Sequence, residues 1–162
     1  MVLAHKNITP GSGHAAGRQL LAELYLRQTG CSMPEIVVGP LGKPYFPDSD
    51  LHFSISHTDR HVFCALSDRP IGIDAEELTR QINPKLAEKL LSPTEKTQYD
   101  AAADKQRALL TFWVLKEAQG KCTGEGMQLW PNHTDFSLND PRITEQHGCL
   151  LAIIEKETHY AF

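Results

Sequence analysis

The stretch Ile71-Gly72-Ile73-Asp74-Ala75-Glu76 is the starting point for the fold. Strand side chains point to alternating faces, so the two isoleucines and the alanine share one face while Asp74 and Glu76 share the other. These two carboxylates lie about 6 to 7 Å apart along the strand. Like charges at that distance repel each other unless one is protonated or a cation lies between them. The stretch therefore predicts a strand whose polar face requires a proton or a cation.

Composition limits the class of protein. The 162 residues suffice for one well-buried core or for two small lobes that share one. Hydrophobic residues make up 41% and charged residues 22%, which is typical of a soluble globular protein. The net charge of -4 argues against a broad nucleic-acid surface, and no apolar run approaches a membrane span. We expect neither nucleic acid nor a membrane as a partner.

The cysteines and the first residues indicate the compartment. The 4 cysteines are scattered without a CxxC pair, which favours free buried thiols over a zinc site or a disulfide framework. Residues 1–8 are too few and too polar for the apolar core of a signal peptide. We therefore expect a cytoplasmic protein.

The first half of the chain predicts one helix and several strands. Apolar spacing favours an amphipathic helix over 14–28, with Gly30 as its stop. Residues 51–57 alternate, which predicts a strand with buried apolar side chains and with its polar side chains on the opposite face, and 61–66 predict a second strand. The turn at 67–70 leads directly into the opening stretch. The pattern is typical of an antiparallel meander.

The second half is mainly helical. Ser92-Pro93-Thr94-Glu95 combines a capping box with proline at the first helical position, so a helix begins there. A longer helix spans about 105–123 and ends at Gly124. Short β patterns follow at 135–138, 150–154 and 158–162, the last two as a hairpin. Together the two halves predict an α+β fold.

Trp113, Glu117 and Lys121 recur at one-turn spacing and share one face of the longer helix. A Glu–Lys pair of this kind is often an ordinary surface ion pair that stabilises a helix by roughly 0.2 to 0.5 kcal/mol. Gly120 argues against that interpretation, because a glycine inside a helix costs about 1 kcal/mol and often marks close approach of a ligand or another backbone.

Three further candidates also have ordinary explanations. Gly42-Lys43-Pro44 could present a lysine to a phosphate, although a plain surface turn is more frequent. His57, at a strand end, is more often a structural hydrogen-bonding group than a catalyst. Arg18, near a helix start, is usually just solvated unless an anion binds nearby.

The carboxylates Asp74, Glu76 and Glu117 could converge, and a ligand set of oxygens alone favours magnesium or manganese over zinc. Cationic side chains beside a hard divalent ion are the equipment of phosphoryl or pyrophosphate chemistry. The residues themselves indicate this class of chemistry and no narrower one.

The ordered motifs of the sequence resemble those of the 4'-phosphopantetheinyl transferases. Within that family, the chain is similar to a short member of the single-chain, surfactin-synthetase-activating type. The resemblance extends from about Arg18 to about Met127. Five motifs carry it: Gly42-Lys43-Pro44, Phe53-Ser54-Ile55-Ser56-His57-Thr58, Ile71 to Glu76, Ser92-Pro93-Thr94-Glu95, and Trp113 to Lys121 with Gly124-Glu125-Gly126.

The resemblance implies transfer of the phosphopantetheine arm of coenzyme A to a serine of an apo acyl, peptidyl or polyketide carrier protein, with release of adenosine 3',5'-bisphosphate. Magnesium, with manganese as a possible substitute, would be the cofactor and coenzyme A the substrate. The resemblance also implies a role for each residue that stands at a functional position of the family's motifs. The implied metal ligands are Asp74, Glu76 and Glu117; the catalytic residues are Glu117, Lys121 and His57; the residues binding coenzyme A are Arg18, Lys43, Pro44, Ser56, His57 and Lys121.

The family fold implies two pseudo-twofold-related lobes, residues 1–70 and 71–162, each a short antiparallel sheet packed on a long helix, in a monomer. Because the chain begins close to Arg18, we expect it to lack an upstream segment that longer members use for a first strand and for extra basic contacts. That expectation, together with Gly120, leaves open an alternative function: a coenzyme A or nucleotide-binding module without transferase activity.

Overall fold

The computed structural model describes residues 1–127 and 134–156. Its strands are β1 Val2–Asn7, β2 Val37–Val38, β3 Pro44–Tyr45, β4 His52–His57, β5 His61–Ser67, β6 Ile71–Glu77, β7 Ile143–Gln146 and β8 Cys149–Glu155. Its helices are α1 Gly13–Thr29, α2 Ala87–Leu90, α3 Pro93–Ala101 and α4 Lys105–Thr123, with a 3-10 turn at Pro84–Leu86. The prediction of mixed helix and antiparallel sheet is confirmed. No helix in the described ranges is both long enough and apolar enough to cross a membrane.

The first sheet has the order β1-β5-β4, and both of its pairings are antiparallel. Helix α1 packs on it and buries Leu20, Leu21 and Leu24 against β4 and β5. The helix ends where Gly30 adopts a φ of 72°, as its position in the sequence predicted. Strand β1 forms the edge of this sheet beside β5 and was not predicted from the sequence.

The second sheet has the order β6-β8-β7 and packs on α4. Strand β6 pairs with β8 rather than with β5, so the predicted meander of β4, β5 and β6 is wrong. Alternation identifies a strand and its faces, but it carries no information on which neighbour the strand takes. The faces of β6 are as predicted: Ile71, Ile73 and Ala75 join a buried cluster, and Gly72 faces α4.

Strands β4 and β6 lie side by side, and serine side chains connect them. Ser54 Oγ accepts a hydrogen bond from the Ile73 amide at 3.0 Å, and Ser56 Oγ accepts one from the Ala75 amide at 3.0 Å. Both serines are therefore buried. Alternation placed these serines on the face opposite the apolar side chains, and the second sheet covers that face.

The carboxyl-terminal hairpin is formed by β7 and β8, joined at His147 and Gly148, whose φ angles are 53° and 74°. Two successive positive φ values are typical of a type I′ turn. The predicted strand at 150–154 lies inside β8, but its hairpin partner precedes it in the chain. Residues 135–138 form no strand. The predicted strand at 158–162 lies outside the described residues.

Helices α3 and α4 are joined by a buried ion pair. The capping box of α3 is present, with Ser92 Oγ accepting from the Glu95 amide and the Glu95 carboxylate accepting from the Ser92 amide. The same carboxylate accepts from Lys116 Nζ at 2.8 Å and from the Phe136 amide at 2.9 Å. Lys116, one residue before Glu117, is thereby turned into the core.

Candidate functional site

A cavity of about 360 Å³ lies among α1, the turn before β3, β4 and α4. Five of the fifteen described residues that line it carry a basic side chain and one carries a carboxylate, although the chain as a whole has a net charge of -4. Of the residues predicted from the sequence, six line it: Arg18, Lys43, Pro44, His57, Glu117 and Lys121. Segments that are far apart in the sequence thus bring five basic side chains to one cavity: the four predicted ones and His14, which the sequence did not single out.

The start of α1 lies directly against the end of β4. A Cβ atom at Gly13 would lie 2.4 Å from His57 Nδ1, and one at Gly17 would lie 2.8 Å from Ile55 Cγ2. Side chains at either position would push the helix away from the strand. The two glycines therefore allow α1 to bring Arg18 and His57 to the same cavity wall. The side chains of Arg18 and His57 form no hydrogen bond with any residue within 1–127 or 134–156.

Lys43 also lines the cavity, and its side chain caps the last turn of α4. Its ammonium donates to the carbonyl oxygen of Cys122 at 2.6 Å and to that of Ile71 at 3.4 Å. The carboxyl end of a helix favours a cation because its last carbonyl groups lack partners within the helix. Burial lowers the pKa of Lys43 from its ordinary value. The turn is therefore anchored to α4, which the surface-turn interpretation does not predict.

Asp74 is the buried carboxylate next to the cavity. Its Oδ1 accepts from Lys121 Nζ at 2.8 Å and from Ser56 Oγ at 3.1 Å. Its Oδ2 is buried and has no hydrogen-bond partner in the described part of the chain. Burial raises the pKa of Asp74 above its ordinary value, and Lys121 and Ser56 oppose that shift. Ser56 is thus engaged behind the cavity and does not line it.

Glu117 lines the cavity one turn before Lys121. Its pKa is also raised, first by burial and then by the negative charge of Asp74, while Lys121 lowers it. The two carboxylates are therefore close enough to repel each other. This is the electrostatic situation that the sequence predicted for Asp74 and Glu76.

Glu76 has a different partner, which the sequence did not identify. The Arg80 guanidinium contacts the Glu76 carboxylate and lies over the Trp113 ring, with Cζ 5.1 Å from its centroid. Arg80 follows β6 in a turn closed by its own amide, which donates to the Glu77 carbonyl at 2.8 Å. No periodic pattern extends across such a turn, so the sequence contained no signal for this contact.

Two glycines allow other backbone segments to approach α4 closely beside the site residues Glu117 and Lys121. A Cβ at Gly72 would lie 2.0 Å from the Ala118 carbonyl oxygen, so β6 touches the helix backbone. A Cβ at Gly120 would lie 2.3 Å from the Gly126 backbone. The prediction that Gly120 marks close approach of another backbone is therefore confirmed.

Whether these residues suit a metal ion depends on donors and geometry. The donors are carboxylate oxygens, which hard divalent cations prefer, and the unpartnered Asp74 Oδ2 is an available ligand. Within the described ranges, however, no three His, Cys, Asp or Glu side chains are arranged to hold a metal ion. The donors fit the ion chemically, while Glu76 is bound to Arg80 and Asp74 Oδ1 to Lys121.

Fold and site together define an α+β protein in which the described residues form two three-stranded sheets and a short β2-β3 ribbon, with basic side chains in a cavity beside buried carboxylates. A family model described as the 4'-phosphopantetheinyl transferase superfamily matches residues 70–160. The chain belongs to that superfamily, which confirms the family predicted from the motifs.

Curated relatives agree with this assignment. The chain is 35% identical over 123 residues to 4'-phosphopantetheinyl transferase gsp of Aneurinibacillus migulanus, a match covering 70% of this chain and 51% of the relative. It is 41% identical over 92 residues to 4'-phosphopantetheinyl transferase Sfp of Bacillus subtilis (strain 168), covering 54% and 40%. It is 34% identical over 114 residues to 4'-phosphopantetheinyl transferase AcpT of Escherichia coli (strain K12), covering 67% and 56%. The chain thus spans about half the length of the curated relatives it matches.

Proposed function

We propose that this chain transfers the 4'-phosphopantetheine arm of coenzyme A to a serine of an apo carrier protein of acyl, peptidyl or polyketide type. The observation that carries the proposal is the cavity in which Arg18, Lys43, His57 and Lys121 meet Glu117. A basic cavity in an acidic chain suits a polyanion such as coenzyme A. Membership in the superfamily and the names of the relatives support the same activity.

The basic side chains bind the phosphates of coenzyme A. The Arg18 guanidinium can bind two phosphate oxygens at once, and the described residues leave its donors unoccupied. His57 adds a second donor next to the start of α1, and Lys43 and Pro44 complete the lining. Ser56 takes a positioning role in this proposal, because its hydroxyl donates to Asp74 rather than facing the cavity.

In the transfer step, the serine oxygen of the carrier bonds to the phosphorus that bears the pantetheine arm. The bond from that phosphorus to the bridging pyrophosphate oxygen breaks, and adenosine 3',5'-bisphosphate leaves. Glu117 takes the serine proton, a role that suits a carboxylate whose pKa is raised by burial. Lys121 stabilises the negative charge that develops on the leaving phosphate.

Asp74, Glu76 and Glu117 are the proposed ligands of Mg²⁺, with Mn²⁺ as a substitute. The ion, when bound, neutralises charge on the pyrophosphate. The unpartnered Asp74 Oδ2 and the all-oxygen donor set support this assignment.

We further propose that residues 1–70 and 71–162 act as two pseudo-twofold-related lobes with the cofactor between them. Each range contributes a three-stranded antiparallel sheet and a long helix, and the cavity is lined from both. We propose a cytoplasmic monomer, in which Cys64, Cys122 and Cys149 remain buried thiols.

The test is release of adenosine 3',5'-bisphosphate from coenzyme A in the presence of an apo carrier protein and Mg²⁺. We expect release with the apo carrier and none with a carrier whose acceptor serine is replaced by alanine. Equal release in both reactions would indicate hydrolysis and contradict the proposal.

A second candidate function is binding of coenzyme A without transfer. It is favoured by one observation: protein cations already occupy the carboxylates, Lys121 on Asp74 and Arg80 on Glu76. Calorimetry with coenzyme A separates the two functions when combined with the release assay. Binding accompanied by carrier-dependent release supports the transferase, and binding without release supports the second candidate.

A further inference from the structure

Arg80 brings a positive charge to the place where the carboxylates of β6 and α4 approach one another. Its guanidinium contacts Glu76, and its charge also lowers the pKa values of Asp74 and Glu117, against the larger effect of burial. Three acidic side chains on two elements therefore experience the same cation. The proposed divalent ion requires the same three side chains.

A second contact holds Arg80 at this position. The guanidinium lies 5.1 Å from the centroid of the Trp113 ring, within the range of a cation–π interaction. Trp113 lies one turn before Glu117 on α4. Arg80 thus has a carboxylate on one side and an aromatic face on the other. If the carboxylate takes another partner, the ring still offers the guanidinium a favourable place.

We propose that Arg80 is a positioning residue that competes with the divalent cation for Glu76 and withdraws onto Trp113 when that cation binds. The proposal rests on the metal site of the proposed function. It adds a determinant of metal affinity from a residue that is neither a metal ligand nor in contact with the cavity.

Two physical arguments support competition. A glutamate oxygen that accepts from a guanidinium cannot at the same time give that lone pair to a metal ion at close range. In addition, a single positive charge several ångströms from a divalent ion opposes its binding, by an amount that remains significant in water and decreases with salt. Without the ion, the same charge offsets the repulsion among the carboxylates. Arg80 therefore stabilises the metal-free site and weakens the metal-bound one.

The experiment is calorimetric titration with Mn²⁺, in the absence of coenzyme A, of the wild-type chain and of Arg80→Gln. We expect Arg80→Gln to bind Mn²⁺ about three- to tenfold more tightly at low ionic strength, with a smaller difference in high salt. The matched control is Arg60→Gln. Arg60 lies in the turn between β4 and β5 and pairs with Glu77, the next carboxylate along β6. The control therefore removes an arginine that pairs with the same strand, and it should change Mn²⁺ affinity less than about twofold.

Arg80→Lys is the second variant, since it keeps the charge and shortens the reach. We expect its Mn²⁺ affinity to lie between those of the wild type and Arg80→Gln. Equal or weaker binding by Arg80→Gln, with clear binding by the wild type, would overturn the inference and leave the metal site standing. An absence of Mn²⁺ binding in every variant would contradict both the inference and the metal site of the proposed function.

Discussion

Asp74 is held so that its Oδ1 accepts two hydrogen bonds, while its Oδ2 accepts none from the residues that the structure describes. Ser56 serves two partners there, since its hydroxyl donates to Asp74 Oδ1 at 3.1 Å and accepts from the Ala75 amide at 3.0 Å. A single serine therefore orients the carboxylate and fastens β4 to β6. The residue acts on the site without reaching the cavity.

We predict that Ser56→Ala lowers the free energy of unfolding by about 1 to 3 kcal/mol, because the buried Ala75 amide loses its acceptor. Urea unfolding followed by circular dichroism measures the change. The control is Ser32→Ala, at an exposed serine, which should stay within about 0.5 kcal/mol of the wild type. A Ser56→Ala protein as stable as that control would show that the two hydrogen bonds contribute nothing.

Individual site residues were predictable to different degrees. The chemistry of Asp74, Glu117 and Lys121 followed from strand alternation and helical spacing, both of which are local rules. Their convergence with Arg18 depended on the resemblance of ordered motifs. Arg80 was not predictable, because its contact with Trp113 joins a turn to a helix that begins much later in the chain.

At the level of elements, the packing of α4 depends on the absence of a side chain at Gly120. An isolated helix would gain about 1 kcal/mol from alanine at this position. Here the added Cβ would lie 2.3 Å from the Gly126 backbone, closer than real Cβ atoms approach other heavy atoms. Helix propensity therefore predicts that Gly120→Ala stabilises the protein, whereas packing predicts that it destabilises the protein.

We predict that Gly120→Ala destabilises the protein by about 1 to 3 kcal/mol, the usual effect of forcing extra volume into a packed site. Thermal unfolding monitored by circular dichroism shows whether the variant is more or less stable than the wild type. Gln119→Ala, on the same turn of α4, is the control for propensity alone and should be neutral or slightly stabilising. Stabilisation by Gly120→Ala would mean that the segment around Gly126 moves away at no cost.

The elements themselves were largely predictable and their pairing was not. The helix stops at Gly30 and Gly124 and the capping box at Ser92 depend on neighbouring residues, and all three are present. The partner of β6 depends on a strand from the far end of the chain, β8, and on the serines that join β4 to β6 without a backbone ladder. Local sequence patterns contain neither relation.

At the scale of the whole molecule, three histidines connect the two sheets. His5 Nε2 lies 3.0 Å from His61 Nδ1 within the first sheet, and the His5 ring stacks on His147 in the β7–β8 turn with centroids 3.7 Å apart. Burial, and then the charges of His147 and His61, lower the pKa of His5 from its ordinary value of 6.5. The contact between the sheets therefore favours the neutral imidazole.

The sign of the pH dependence follows from proton binding. Below about pH 6.5 the unfolded chain binds a proton at His5 more readily than the folded chain does. The contribution of neutral His5 to the free energy of unfolding is fully present above about pH 6.5 and is lost as the pH falls toward the lower pKa of the folded state.

We predict that the free energy of unfolding decreases between pH 7.5 and 5.5 and that His5→Gln makes this decrease shallower. Urea titrations across the range measure the slope. His14→Gln, at an exposed histidine, should leave the slope unchanged, and an equal slope in His5→Gln would contradict the assignment.

The function of the whole molecule is tested most directly by the intact mass of an apo carrier protein after incubation with coenzyme A, Mg²⁺ and this chain. We predict that the carrier gains the mass of the phosphopantetheine arm with the wild-type chain. With the Glu117→Gln variant the carrier should remain apo. Calorimetry should show that this variant still binds coenzyme A. Unchanged masses of acyl, peptidyl and polyketide carriers after incubation with the wild-type chain would contradict the proposed transferase.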